Sequence, residues 1–204
     1  MKEIFERTCC RVFDNSKTIS KEDLTLIMKA GQAAPSAKNR QPYFFVTILN
    51  KKCLEEISTA AITGREKQFS NLSPEEFKRV EKGDTGSNDI SISKASAAIL
   101  VFRDSDPEYR ESEVESKNLN IKEEQGVANA AYSMMLQAQS MGISSGWVCS
   151  PLYIKEELKK ILTKHGVKFD NNWEPRLIIP LGYASLTTNK PPRKPLEEKC
   201  IFVE

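Results

Sequence analysis

Six uninterrupted apolar residues, Ala97-Ala98-Ile99-Leu100-Val101-Phe102, limit the fold more than any other stretch of this chain. A run without alternation is what a strand buried on both faces requires, so it belongs at the centre of a sheet. Two further segments have strand character. Tyr43–Leu49 is rich in aromatic and β-branched residues that fit a pleated, half-buried surface, and Glu174–Tyr183 is an apolar strand flanked by prolines. Ile143–Cys149 reads as a short strand in which Gly146 stands beside Trp147, and a glycine inside a strand often marks a close approach to the backbone.

Helical spacing fills the intervals. Ser20-Lys21-Glu22-Asp23 has the form of a capping box, with Leu24, Ile27 and Met28 on the buried face behind it. That helix runs toward Pro35, which ends it because the residue before a proline is driven from the α region. Leu54, Ile57, Ala60 and Ala61 repeat at helical spacing up to Gly64, and Ser73-Pro74-Glu75-Glu76 starts another helix. Ile121–Met141 is the longest periodic segment and should be the most buried helix, closed by Gly142; its methionines read as plastic core filler. Ser150-Pro151 caps a last helix carrying Leu158, Ile161 and Leu162, and His165 at its end complements the helix dipole. Gly83–Asn88 reads as a loop, and the acid-rich stretch Arg103–Glu115 as a mobile loop or lid. Strands and helices follow one another through a single domain of 204 residues, an α+β pattern.

The junction Ala33–Tyr43 holds two prolines and a run of small polar residues, more than a plain turn needs. Its surplus of N–H groups, a hydroxyl, an amide and two cations can face a ligand. Arg7 and Arg11 stand four apart, and on a helix that spacing puts both guanidinium groups on one face, where they either fork around a phosphate or form a solvated surface.

Charge and cysteine usage exclude several classes. Thirty Lys and Arg against 28 Asp and Glu leave a net charge of +2, no broad basic field of the kind a nucleic-acid binder carries. The five cysteines, at 9, 10, 53, 149 and 200, form no C-x-x-C pair, which argues against a zinc site and a disulfide framework and for a reduced, cytoplasmic setting. No apolar stretch approaches the ~20 residues of a membrane helix. The single His lacks a nucleophile partner, and neither a G-x-G-x-x-G nor a P-loop motif is present. Chemistry would therefore come from an organic cofactor held by scattered basic and backbone groups.

Four blocks, in order and spacing, resemble the FMN-dependent nitroreductase family: Arg7-Thr8-Cys9-Cys10-Arg11, Ala34-Pro35-Ser36-Ala37-Lys38-Asn39-Arg40-Gln41-Pro42-Tyr43, Gln125-Gly126 through Gly146-Trp147, and Ile179–Tyr183 with Arg193-Lys194-Pro195. The resemblance spans nearly the whole chain and implies a mixed, mainly antiparallel sheet flanked by helices. It also implies a homodimer whose C-terminal tail, 184–204, is exchanged between subunits. It assigns the FMN phosphate to Arg7, Thr8, Cys9, Arg11 and Arg193, and one wall of the partner's flavin to Pro35, Ser36, Ala37 and Asn39. Trp147, Val148, Cys149 and Ser150 would border the ring. Cys9 replaces a serine common in the family, and a thiol is a weaker donor. The segment 103–120 would be a lid.

The function so implied is an oxidoreductase that passes hydride from NAD(P)H through flavin N5 to a planar acceptor such as a nitroaromatic or quinone, with no catalytic side chain and no metal. The alternatives are a flavin-binding or sensor protein without turnover, a family-shaped dimer that has lost FMN, and a specialised relative of the reductive-dehalogenase kind.

Overall fold

Residues 97, 99 and 101 of the central strand face one helical layer, and residues 98, 100 and 102 face another. The computed structural model describes residues 2–81, 87–105, 113–186 and 190–203. In it β1 (Tyr43–Ile48), β2 (Ala97–Asp104), β3 (Ser144–Ser145) and β4 (Trp173–Gly182) form a sheet in the order β1-β2-β4-β3. Every ladder is antiparallel, and among the described residues the only parallel contact is an isolated bridge between Cys9 and Ser145. The mixed, mainly antiparallel sheet expected from the sequence is thus antiparallel in its four strands, with helices on both faces.

The helices are α1 (Glu3–Glu6), α2 (Lys21–Gln32), α3 (Lys51–Phe69), α4 (Pro74–Glu81), α5 (Ser87–Lys94), α6 (Glu113–Ser140) and α7 (Lys155–Lys164). Ala97, Ile99 and Val101 pack with Leu24 and Ile27 of α2 and with Val127, Ala131, Met134 and Ala138 of α6. Ala98, Leu100 and Phe102 pack with Leu54 and Ile57 of α3, Ile92 of α5, and Leu158 and Leu162 of α7. Full burial of each of the larger side chains contributes roughly 1.5–3 kcal/mol and of each alanine methyl less, so the strand's period of two holds both layers in place.

Two of the expected caps are where the sequence puts them. Ser20 Oγ accepts from the Asp23 N–H, and Ser73 with Glu76 closes a reciprocal capping box. Pro175 and Pro180 lie inside β4, and Pro175 sits opposite Phe102 at a shift in register, where a missing donor does least harm.

Several boundaries differ from the sequence reading. Gly64 lies within α3, which continues to Phe69. Ser87 and Asn88 open α5, a helix the sequence did not suggest, fastened to α3 by the Ser58 hydroxyl donating to the Asp89 carbonyl and by an Arg65–Asp89 ion pair at 3.4 Å. Residues 82–86 of the expected loop lie outside the described residues. The apolar strand continues through Arg103 and Asp104, and α6 starts at Glu113 rather than Ile121. Arg103 is 6% exposed, bonded to Asn120 at 2.9 Å and to Glu174 at 2.7 Å, so it is a buried ionic pivot and no part of a loop. The remainder of that loop or lid, 106–112, lies outside the described residues.

Candidate functional site

The N-terminal segment leaves α1 at Arg7, whose ψ of 131° ends the helix. Arg7 and Arg11 are therefore not one helix face. The segment instead runs beside β3: Cys10 N–H donates to the Ser145 carbonyl at 2.8 Å, and Cys9 bridges Ser145. Gly146 permits this approach, because a Cβ there would lie 3.1 Å from the Cys10 carbonyl oxygen.

Arg7, Thr8, Cys9 and Arg11 line a cleft of about 640 Å³ whose opposite side includes Lys190 and Arg193 of the tail. Tyr132 of α6 and the apolar Ile4 and Phe5 of α1 complete it. The tail reaches the cleft because it is pinned first: Asp14 N–H donates to the Tyr183 carbonyl at 2.7 Å and Ser185 N–H to the Val12 carbonyl at 3.1 Å. All five residues expected around a phosphate thus meet in one place. Sequence reasoning missed Lys190 and Tyr132; Lys190 belongs to the basic, proline-rich tail run, whereas nothing in the pattern of α6 singles out Tyr132.

Four cations face this cleft and none has an acidic partner among the described residues. Arg7 Nη1 lies 3.6 Å from Cys9 Sγ, and Arg11 Nε donates to the Asn88 amide oxygen at 2.6 Å. Arg7 Nε is buried without a hydrogen-bond partner among the described residues; so are Arg65 Nε, Arg103 Nε and the hydroxyls of Ser145 and Ser150, but of these atoms only that of Arg7 belongs to a residue lining the cleft. Unsatisfied buried polar atoms are costly, typically ~1–3 kcal/mol each, and those at a cleft mark where an acceptor is wanted.

The segment after β3 departs from the expected strand. Only Ser144 and Ser145 join the ladder, and Val148 makes a separate bridge to Ile178. Cys149 turns into helical dihedrals, so Ser150 begins a short 3-10 turn, Ser150–Tyr153, without capping it; α7 starts afterwards at Lys155. Trp147 Nε1 donates to Cys149 Sγ at 3.1 Å.

Pro35, Ser36, Ala37 and Asn39 do not line the cleft of their own chain. They form a bend against α6, whose Asn129 Nδ2 donates to the Pro35 carbonyl at 3.2 Å. His165 serves α7 as expected, capping its end with the ring nitrogen Nε2 3.2 Å from Glu56. A further groove of about 730 Å³ between α3 and α7 contains none of the expected site residues. Among the described residues no His, Cys, Asp and Glu group is arranged for a metal, and no helix is long and apolar enough to cross a membrane.

The antiparallel four-stranded sheet between helical layers is a fold shared with solved flavoprotein and nitroreductase structures. A BluB-like flavoprotein from Clostridium difficile 630 superposes with a TM-score of 0.83 at 26% identity, covering 100% of this chain and 98% of that one. A nitroreductase with bound FMN from Desulfitobacterium hafniense DCB-2 gives 0.71 at 23% identity, over 100% and 97% of the two chains. A protein provisionally named NADH dehydrogenase/NAD(P)H nitroreductase from Archaeoglobus fulgidus is 29% identical over 162 residues, 79% of this chain and 72% of that one. Residues 4–183 match the Nitroreductase family, and the chain belongs to it.

Proposed function

We propose that the protein is an FMN-dependent NAD(P)H oxidoreductase acting on planar acceptors such as nitroaromatics or quinones. The observation that carries this reading is the cleft of Arg7, Arg11, Lys190 and Arg193, cationic and without acidic partners among the described residues, in a member of the nitroreductase family. The residues present fit FMN: the orphaned Arg7 Nε supplies a donor, and the cleft's charge suits a phosphate dianion.

Arg7, Arg11, Lys190 and Arg193 would hold the phosphate, with the Thr8 hydroxyl as a neutral donor. Cys9 adds only a weak donor where a hydroxyl would serve better. The Trp147–Ser150 turn would border the ring, with the buried Ser150 hydroxyl in search of a partner. When bound, the flavin supplies hydride transfer at N5 between NAD(P)H and the acceptor. The chain's own work is binding, orientation and exclusion of water, which is why the described residues need no nucleophile–base pair.

The reading extends to a cytoplasmic homodimer. Ile201, Phe202 and Val203 are 91%, 86% and 95% exposed, an apolar segment that no described residue of its own chain covers. β1 is the outermost strand of the sheet, and such an edge accepts an added strand. Docking of residues 201–203 onto a second copy, with Lys190 and Arg193 kept in the cleft of their own chain, would cover both. It would also bring the Pro35–Asn39 bend to the neighbour's cofactor.

The test is reconstitution. Purified with excess FMN, the protein should emerge as a yellow dimer, and anaerobic NADH or NADPH should bleach the flavin absorbance. A retained flavin that neither nucleotide bleaches would instead support a binding or sensor protein without turnover, and failure to retain FMN would overturn the reading altogether.

A further inference from the structure

We infer that Asn129 of α6 is a positioning residue that sets the Pro35–Gln41 bend as a preformed wall, an inference that rests on the flavin-site reading above. Three non-glycine residues of the bend, Lys38, Asn39 and Gln41, have φ of 55°, 52° and 51°. L-residues adopt that region reluctantly, so a segment with three of them holds its shape only when its surroundings over-determine it.

The bend supplies part of that constraint itself. Asn39 N–H donates to the Ser36 carbonyl at 2.9 Å, and Gln41 N–H to the Ser36 hydroxyl at 2.9 Å. Tyr43 Oη ties its far end to the Gln32 carbonyl at 2.8 Å. Asp104 N–H of β2 donates to the Pro42 carbonyl at 3.2 Å and, with the Tyr43–Gln32 bond, places the far end of the bend; α6 places its near end. Gly126 seats the bend, since a Cβ there would lie 3.2 Å from Ser36 Cβ and from the Pro42 ring. One turn further, Asn129 donates to Pro35, whose carbonyl lies just before Ser36. Next along the same helix, Tyr132 lines the basic cleft, so α6 carries the bend's anchor and a wall of the phosphate site within one turn.

The amide's role is separable from its bulk. Asn129→Asp keeps the shape, removes the donor and sets a carboxylate against the Pro35 carbonyl, whereas Asn129→Gln retains a donor on a longer stem. Asn129 is solvent-exposed in the single chain, so neither variant should disturb the core. The experiment measures FMN affinity by flavin fluorescence, visible circular dichroism of the bound flavin, and hydrogen exchange at the Asn39 and Gln41 amides, in wild type and both variants. Loss of one neutral bond predicts that Asn129→Asp weakens FMN by about 5-fold or more, alters the visible dichroism and speeds exchange in the bend, with partial recovery in Asn129→Gln. Unchanged affinity overturns the inference, even if exchange quickens, because the bend would then not be a wall of the site. If wild type itself takes up no FMN, the flavin reading fails and the wall role with it, an outcome distinct from a variant that binds as wild type does.

Discussion

Arg11 Nε donates to the Asn88 side-chain oxygen at 2.6 Å, tying the basic cleft to the first turn of α5. The bond uses one edge of the guanidinium, and Arg11 still lines the cleft. A charge-assisted bond to phosphate contributes ~1.5–3 kcal/mol, so Arg11→Ala and Arg193→Ala should each weaken FMN about 10- to 100-fold while the protein stays folded. Asn88→Leu leaves the charge but frees the side chain, and should weaken FMN less than either. Titration of the apoprotein with FMN checks all three; equal affinities throughout would displace the phosphate from this cleft.

Arg103 presents a different kind of electrostatics. Its Nη1 lies 3.7 Å from Glu123 and 3.5 Å from Glu124, and its Nη2 bonds Glu174, which also receives Arg176 at 2.6 Å. Glu123 is itself buried and is bonded by the Ser105 hydroxyl at 2.9 Å. Removing one partner of a buried pair leaves an uncompensated charge, so Arg103→Met should cost ~3–5 kcal/mol in chemical denaturation. The double variant Arg103→Met with Glu123→Gln should recover much of that loss.

The helical spacing of Arg7 and Arg11 misled, yet residues 7, 9 and 11 also alternate, and alternation is the period of the extended segment the chain forms. Length decided between the two periods: α1 is four residues long, and the backbone groups that follow find partners on Ser145 instead of in a helix. The apolar run at 97–102 was legible because burial on both faces leaves no room for polar residues. The early start of α6 was not, since Val114 and Leu119 are the only apolar residues between Glu113 and Ile121 and set no helical period; its Asn120 and Glu123 are held by Arg103 and Ser105 from β2 and the residue after it, contacts no local pattern contains. Lys190 and Tyr132 were hidden for the same reason, since the cleft assembles from segments more than 50 residues apart in sequence.

The thiols should sort by environment. Burial pushes the Cys53 thiol up to about 11, with the Glu56 carboxylate adding to the effect; burial raises the Cys149 thiol too, against the opposing bond from Trp147, but its residue is exposed to reagent in the turn assigned to the flavin ring. Iodoacetamide at pH 8 should therefore alkylate Cys149 well before Cys53, which should react only on unfolding. If the Trp147–Ser150 turn borders the ring, saturating FMN should slow modification at Cys149 and leave Cys53 unchanged. Peptide mapping of a time course reads both.

The α3–α7 contact should weaken in acid. Lys164 hydrogen-bonds Glu56 at 2.8 Å, and this bond is the largest influence holding the Glu56 carboxyl below its ordinary 4.5, against opposing burial and with His165 adding to it. A carboxylate with a depressed folded value binds protons less readily in the native state than in the unfolded one. Its contribution is therefore present above the unfolded value of 4.5 and is lost as pH falls through the folded one. Glu56→Gln removes this dependence, so the difference in Tm between wild type and variant should shrink as pH falls below about 4.5. A gap that persists undiminished to pH 3 would mean that Glu56 stabilises the helix pair by packing, not by its charge.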